Sequence, residues 1–255
     1  MSNEEKEAEF YQHLEELLLR ARKALIAILV GMGIASVLPV KVNPGYETLV
    51  TYIIHRIEAD LLPAKEVTLM AGQWTDVIMV YFYVSFLIGF LMASPIVAYE
   101  IYMYVAPALY PHEKKNLSLF VASFTVLFAL GVLFSYFILL PWTYKFLIKF
   151  AYLVGASPFF TVENFLSFTL LVMIAVGLTF TFPVVTTLLV KLDIIAPETL
   201  TSRWREIIVA VFILAAIVTP DVSGFTMIIL AAPILGLYVV AVVVAKAIYK
   251  KKDKR

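Results

Sequence analysis

Three histidines, His13, His55 and His112, are the side chains best suited to bind a metal or move a proton, and they lie far apart in the chain. Zinc sites draw His, Cys and carboxylate ligands at short recurrent spacings. None of the three histidines has such a partner spacing, so no metal site is expected. The chain has no cysteine, which removes disulfides, thiolate nucleophiles and thiolate ligands together. It also lacks His-Glu-x-x-His, Gly-x-Ser-x-Gly, a phosphate-binding glycine loop and Gly-x-Gly-x-x-Gly. Asp221 stands at the end of a predicted apolar run without a second catalytic group beside it. General acid–base and nucleophilic chemistry therefore find no partners. Enzymatic activity is not expected.

Three acidic groups remain, Glu16, Glu100 and Glu113, each close to the end of an apolar run. A carboxylate in or beside a membrane span is costly and tends to be functional. Each also has a plainer reading. Glu16 stands four residues before Arg20, the favourable order for an ion pair on a helix surface. Glu113 adjoins Lys114 and Lys115 as an ordinary interfacial charge. Glu100 either extends to the inner surface or pairs with a nearby basic residue.

The elements that must position these groups follow from composition. The 255-residue chain is 62% hydrophobic and only 15% charged, with a mean hydropathy of +0.92. A soluble domain is nearer half apolar and a quarter charged. The apolar residues come in long unbroken runs, and about 18 or more in a row can cross the hydrocarbon core. Only helices and closed barrels satisfy their backbone there, and the runs are too continuous for alternating barrel strands. The expected fold is a single all-α integral membrane domain over 1–255. Its six spans are placed at about 24–40, 77–99, 117–144, 165–190, 207–220 and 222–245.

The fifth of these is short. Fourteen uncharged residues, 207–220, reach about 21 Å against a core of about 30 Å. Residues 5–23 read as an amphipathic cytoplasmic helix, with Phe10, Leu14, Leu17 and Leu18 on one side and His13, Glu16 and Arg20 on the other. The segment 47–62 is a second amphipathic helix, lying on the outer membrane surface or on the protein itself. Pro95 and Pro183 are expected to kink their spans. The acidic start (Glu4, Glu5, Glu7, Glu9) is not the basic n-region of a cleavable signal peptide, so the first apolar block reads as retained.

Charge sets the orientation. With both termini inside, the inner segments hold 15 Lys and Arg and the outer ones 5. That bias fits the positive-inside tendency and predicts N-in, C-in. Trp74, Trp142 and Trp204 all fall at predicted span ends, as an aromatic belt would place them. The net charge of +1 gives no reason to expect a nucleic-acid partner.

Residues 93–115 read Ala-Ser-Pro-Ile-Val-Ala-Tyr-Glu-Ile-Tyr-Met-Tyr-Val-Ala-Pro-Ala-Leu-Tyr-Pro-His-Glu-Lys-Lys. This stretch resembles the second span and first cytoplasmic loop of TatC, the multispanning receptor subunit of the twin-arginine protein translocase. His13-Leu14-Glu15-Glu16-Leu17 followed by Arg20 is similar to the family's N-terminal motif. Leu133–Phe137 with Pro141, Asn164–Phe168, Phe180-Thr181-Phe182-Pro183 and Thr219-Pro220-Asp221-Val222 recur in the family's order. There are departures. Leu18 stands where the family usually has an arginine, the first outer loop matches poorly, and Thr181 stands where many members carry a buried glutamate.

The resemblance implies a function: recognition of twin-arginine signal peptides on folded cargo, for export driven by the proton-motive force. It implies TatA- and TatB-like single-span partners, a homo-oligomer in the cell membrane, and no cofactor. Glu16 and Glu113 are the implied acceptors. A guanidinium presents a planar fork that binds carboxylates in a bidentate way, which lysine does not copy. Tyr104 and Tyr110 are placed to pack on the guanidinium planes or on the peptide's apolar part, with Pro107 shaping the loop. Glu100, Thr181 and Asp221 form an expected intramembrane or partner-facing polar set, in which Glu100 supplies the carboxylate that Thr181 does not. The alternative class is a small-solute secondary transporter or channel. It would need polar residues recurring at midplane depth on several spans, and these spans show few. A third reading, an inert scaffold for partner helices, would leave the acidic residues replaceable.

Overall fold

The computed structural model describes residues 3–41, 47–62, 68–108, 117–153, 155, 159–191, 195–218 and 224–253. Most of these are helical. The first helix, α1, runs unbroken from Asn3 to Val37. The expected surface helix and first span are thus one helix, because nothing between Arg20 and Ala24 breaks it. A short strand β1 (Pro39–Lys41) pairs antiparallel with β2 (Glu47–Thr48). Helix α2 (Leu49–Leu61) follows, started by Thr48, whose hydroxyl accepts from the Thr51 N–H at 3.2 Å. Its apolar stripe seats Val50, Ile57 and Leu61 in the core. Of the two places open to it, this one is on the protein.

Strand β3 (Thr68–Met70) leads into α3, Asp76–Val105. Buried Asp76 closes the entry turn by accepting from the Gly72 and Gln73 N–H groups at 2.8 and 3.0 Å. Pro95 lies inside α3, which stays helical through it. The missing proline N–H would strand the Leu91 carbonyl. The Ser94 hydroxyl donates to that carbonyl at 2.8 Å and satisfies it.

Helix α4 (Leu117–Phe134) passes through one wide π turn, Ser135–Leu139, into α5 (Leu140–Leu153). The wide turn sits directly before Pro141, where it gives the ring room against the preceding carbonyls. The third span therefore continues past Tyr144, its expected end, to Leu153, and carries Lys145 and Lys149 on its surface. Strand β4 (Phe159–Thr161) pairs in parallel with β3.

Helix α6 (Val162–Phe180) and α7 (Phe182–Lys191) make up the fourth span. The break falls at Thr181, two residues before the proline expected to cause it. The pyrrolidine ring disfavours helix in the residues before it, and the Thr181 hydroxyl donates back to the Leu178 carbonyl at 2.7 Å. Then come α8 (Pro197–Ser202), α9 (Trp204–Val218) and α10 (Phe225–Asp253). The two short strand pairs qualify the all-α expectation.

Among the described residues, four helices are long and apolar enough to cross a membrane: Asp76–Val105, Leu117–Leu153, Val162–Lys191 and Thr226–Lys246. The expected count was six. Helices α1 and α9 occupy the places of the other two. The apolar part of α1 begins only after Arg20, Arg22 and Lys23, and α9 has 15 residues. Large apolar side chains such as Leu29, Ile78, Phe82, Leu130 and Val243 face outward, more than half of each one or nearly so exposed. Water would not support such a surface, and an apolar bilayer does.

The helices meet through glycine. A Cβ on Gly89 would stand 2.6 Å from the Met32 nitrogen and 2.8 Å from the Ile28 carbonyl oxygen, so α1 and α3 touch backbone to backbone. Gly131 and Gly177 make the same kind of seat between α4 and α6. Hydroxyls complete the contacts. Tyr81 donates to the Ser36 carbonyl at 2.9 Å, and Tyr144 reaches Thr169 at 2.8 Å and the Phe165 carbonyl at 3.1 Å.

Candidate functional site

The long unbroken α1 carries His13, Glu16 and Arg20 along one face, and the C-terminal turns of α3 carry Glu100 and Tyr104. The antiparallel packing of the two helices brings these faces together. The Arg20 guanidinium lies between two carboxylates. Its Nε and Nη2 donate to Glu16 Oε1 at 2.9 and 2.6 Å, and its Nη1 donates to Glu100 Oε2 at 3.2 Å. Glu100 is 8% exposed, which is tolerable for a carboxylate only with a partner. The side chain of Glu16 is 31% exposed and therefore reachable. The His13 and Tyr104 rings stand 6.2 Å apart at the edge of this cluster.

Electrostatically the three groups carry one negative charge in excess. The Glu16 hydrogen bonds, more than any other contact, hold the Arg20 guanidinium above its ordinary value, against the opposing effect of burial. Arg20 is therefore a permanent cation here. Among the described residues, Glu16 Oε2 and Glu100 Oε1 carry no hydrogen bond. The cluster thus keeps unspent acceptors. It can bind a cation or a hydrogen-bond donor.

The singled-out residues divide into those the fold gathers and those it separates. Glu16, Glu100 and Tyr104 come together through Arg20 and His13. Pro107 follows, itself exposed, in the short Ala106–Ala108 turn that continues α3. Thr181 is 4% exposed and bonds to Leu178, whereas Glu100 bonds to Arg20, so the two have different partners. Glu113, Tyr110 and Asp221 lie outside the described residues, as does His112. Two polar groupings escaped the sequence reading. One is Asp76, readable as the acidic residue at the start of α3. The other is on the opposite side of the protein, where Tyr136 donates to Asp60 at 2.6 Å and Arg56 pairs with the same carboxylate at 3.2 Å. Only the i, i+4 spacing of Arg56 and Asp60 could have signalled it.

Apart from the cluster, an apolar groove of about 320 Å³ opens between α4, α7 and α10. Tyr102, Phe120, Pro183 and Leu237 line it, and Lys191 stands among them.

Comparison with known proteins adds the following. Residues 12–233 match the family model described as Sec-independent protein translocase protein (TatC). A protein named Sec-independent protein translocase protein TatC from Aquifex aeolicus is 34% identical, over 95% of this chain and 97% of its own length. One of the same name from Carboxydothermus hydrogenoformans is 32% identical, over 98% and 97%. A solved structure titled as the twin arginine translocase receptor TatC superposes with a TM-score of 0.76 at 35% identity, covering 92% of this chain and 98% of that one.

Proposed function

We propose that this chain, which belongs to the TatC family of Sec-independent protein translocase proteins, is the receptor subunit of a twin-arginine translocase. It binds the twin-arginine signal peptides of folded cargo, and export is driven by the proton-motive force. The observation that carries the reading at residue level is the Glu16 carboxylate. It is half-open, sits beside a second carboxylate, and belongs to a cluster with an excess negative charge. An arginine side chain is the ligand that such paired acceptors favour, through charge-assisted and bidentate hydrogen bonds.

Glu113 acts as a second acceptor in this reading. Tyr104 and Tyr110 pack on the peptide, and Pro107 fixes the loop between them. Six segments cross the cell membrane with both termini cytoplasmic: the apolar part of α1, then α3, α4 with α5, α6 with α7, α9, and α10. TatA- and TatB-like single-span proteins and further copies of the chain are its membrane partners. Glu100 is the buried carboxylate that serves where Thr181 cannot, with Asp221 the polar group at the opposite end of α9.

Binding of a labelled twin-arginine peptide to the purified protein tests this. Glu16→Ala and Glu113→Ala should each weaken binding by about 1.5–3 kcal/mol. Photocrosslinking from positions 106–115 should capture the peptide. If both variants bind the Arg-Arg peptide with unchanged affinity, Glu16 and Glu113 are not its acceptors.

A further inference from the structure

An arginine already occupies the acceptor cluster. Arg20 donates through Nε, Nη1 and Nη2 to Glu16 and Glu100, which belong to different helices: Glu16 lies four residues from Arg20 and Glu100 lies 80. A planar fork reaching two carboxylates at once is a geometry that a guanidinium supplies and an ammonium does not. The cluster is thus built around the chemical group that the proposed ligand would bring.

We infer that Arg20 is an intramolecular competitor within the signal-peptide site, lowering its affinity for an incoming cation. Its guanidinium is a resident ligand in the seat formed by Glu16 and Glu100, and an incoming peptide arginine must take that seat from it. The inference rests on the reading of Glu16 as an acceptor and adds Glu100 as the second wall of the seat.

The physical consequence is a competition. A peptide guanidinium displacing Arg20 exchanges like for like, so the carboxylates lose nothing. Arg20, freed, turns toward solvent beside α1, where its long side chain is readily hydrated. A peptide ammonium would have to displace a forked, two-carboxylate contact and replace it with a point contact. It loses that exchange. Specificity is a difference of affinities; displacing Arg20 costs both peptides the same, so the competitor weakens both by one factor and the fork alone sets the preference. The excess negative charge of the cluster ensures that the seat still attracts a second cation while Arg20 is at home.

The test compares binding of Arg-Arg and Lys-Lys signal peptides to the full-length protein in detergent. Removing the competitor in Arg20→Gln should tighten Arg-Arg binding about tenfold, or about 1.4 kcal/mol. It should tighten Lys-Lys binding by a similar factor, so that the Arg-over-Lys preference is kept. Arg20→Lys keeps the charge and the helix surface but loses the fork. It should give a smaller gain for both peptides, and it carries the test if the glutamine variant folds poorly. Glu100→Gln should weaken Arg-Arg binding. Two failures are distinguishable. Unchanged Arg-Arg binding in Glu16→Ala removes the acceptor reading itself. Weaker binding in Glu16→Ala, with Arg20→Gln and Arg20→Lys leaving affinity unchanged or reduced, shows that Arg20 is a tie between helices and overturns the inference.

Discussion

At the scale of single residues, the buried hydroxyls show how little slack the interior has. Tyr144 is 2% exposed, and its hydroxyl serves both Thr169 and the Phe165 carbonyl across the contact between α5 and α6. Thr169 keeps its own bond to Phe165, at 2.7 Å, whether or not Tyr144 is there. Tyr144→Phe should therefore cost about 1 kcal/mol, the worth of one net hydrogen bond, and lower the thermal midpoint in detergent by a few degrees at most. A loss above about 3 kcal/mol would mean that Tyr144 holds more than these two bonds. Sequence spacing exposed the Glu16–Arg20 pair, because both residues lie on one helix at i, i+4. It did not reveal which basic residue meets Glu100. That partner is set by how α1 crosses α3, and no local pattern encodes a contact across such a distance.

At the scale of elements, the glycine seats decide how closely the helices approach. Gly89→Ala places a methyl against backbone atoms of Met32 and Ile28 that cannot rotate away. Overpacking of this kind typically costs about 1–3 kcal/mol. Gly33 has open space where its Cβ would be, so Gly33→Ala should be neutral or slightly stabilising, as a better helix former. Comparing unfolding of the two variants in the same detergent checks the assignment, since equal effects would contradict it. The long apolar runs made α3, α4, α6 and α10 legible, because a hydrocarbon solvent demands them. Other features were not legible. Strands of three residues leave no periodicity to read. The continuation of α5 to Leu153 hid behind Lys145 and Lys149, whose charges suggested a loop although both sit on an exposed helical face. The break at Thr181 instead of Pro183 depends on where the preceding turn yields.

At the scale of the whole molecule, the outward apolar surface and the charged ends together define which parts face which solution. The chain is free of cysteine, so single introduced thiols report cleanly. In intact cells, an impermeant thiol reagent added outside should label Ala59→Cys and spare Arg203→Cys and Lys252→Cys. Labelling at Lys252→Cys alone would show that α9 does not cross. The membrane class and the family were legible because both are spread over nearly the whole chain. The number of crossings was less so, because α1 and α9 are short of the usual apolar length. The close approach at Gly89 extends to Gly31, where an added Cβ would stand 2.8 Å from the Gly89 carbonyl oxygen. Such a point is where the two helices would pivot if they moved against each other. Arg20 lies about three turns from Gly31 along α1, and Glu100 about three turns from Gly89 along α3, in the same direction, which gives each a lever arm of about 16 Å. Rocking the two helices by about ten degrees at that pivot would separate their ends by about 3 Å at this helical rise, comparable to the 3.2 Å contact between Arg20 and Glu100. A pull on either helix at mid-membrane would thus be magnified into the opening or closing of the carboxylate seat.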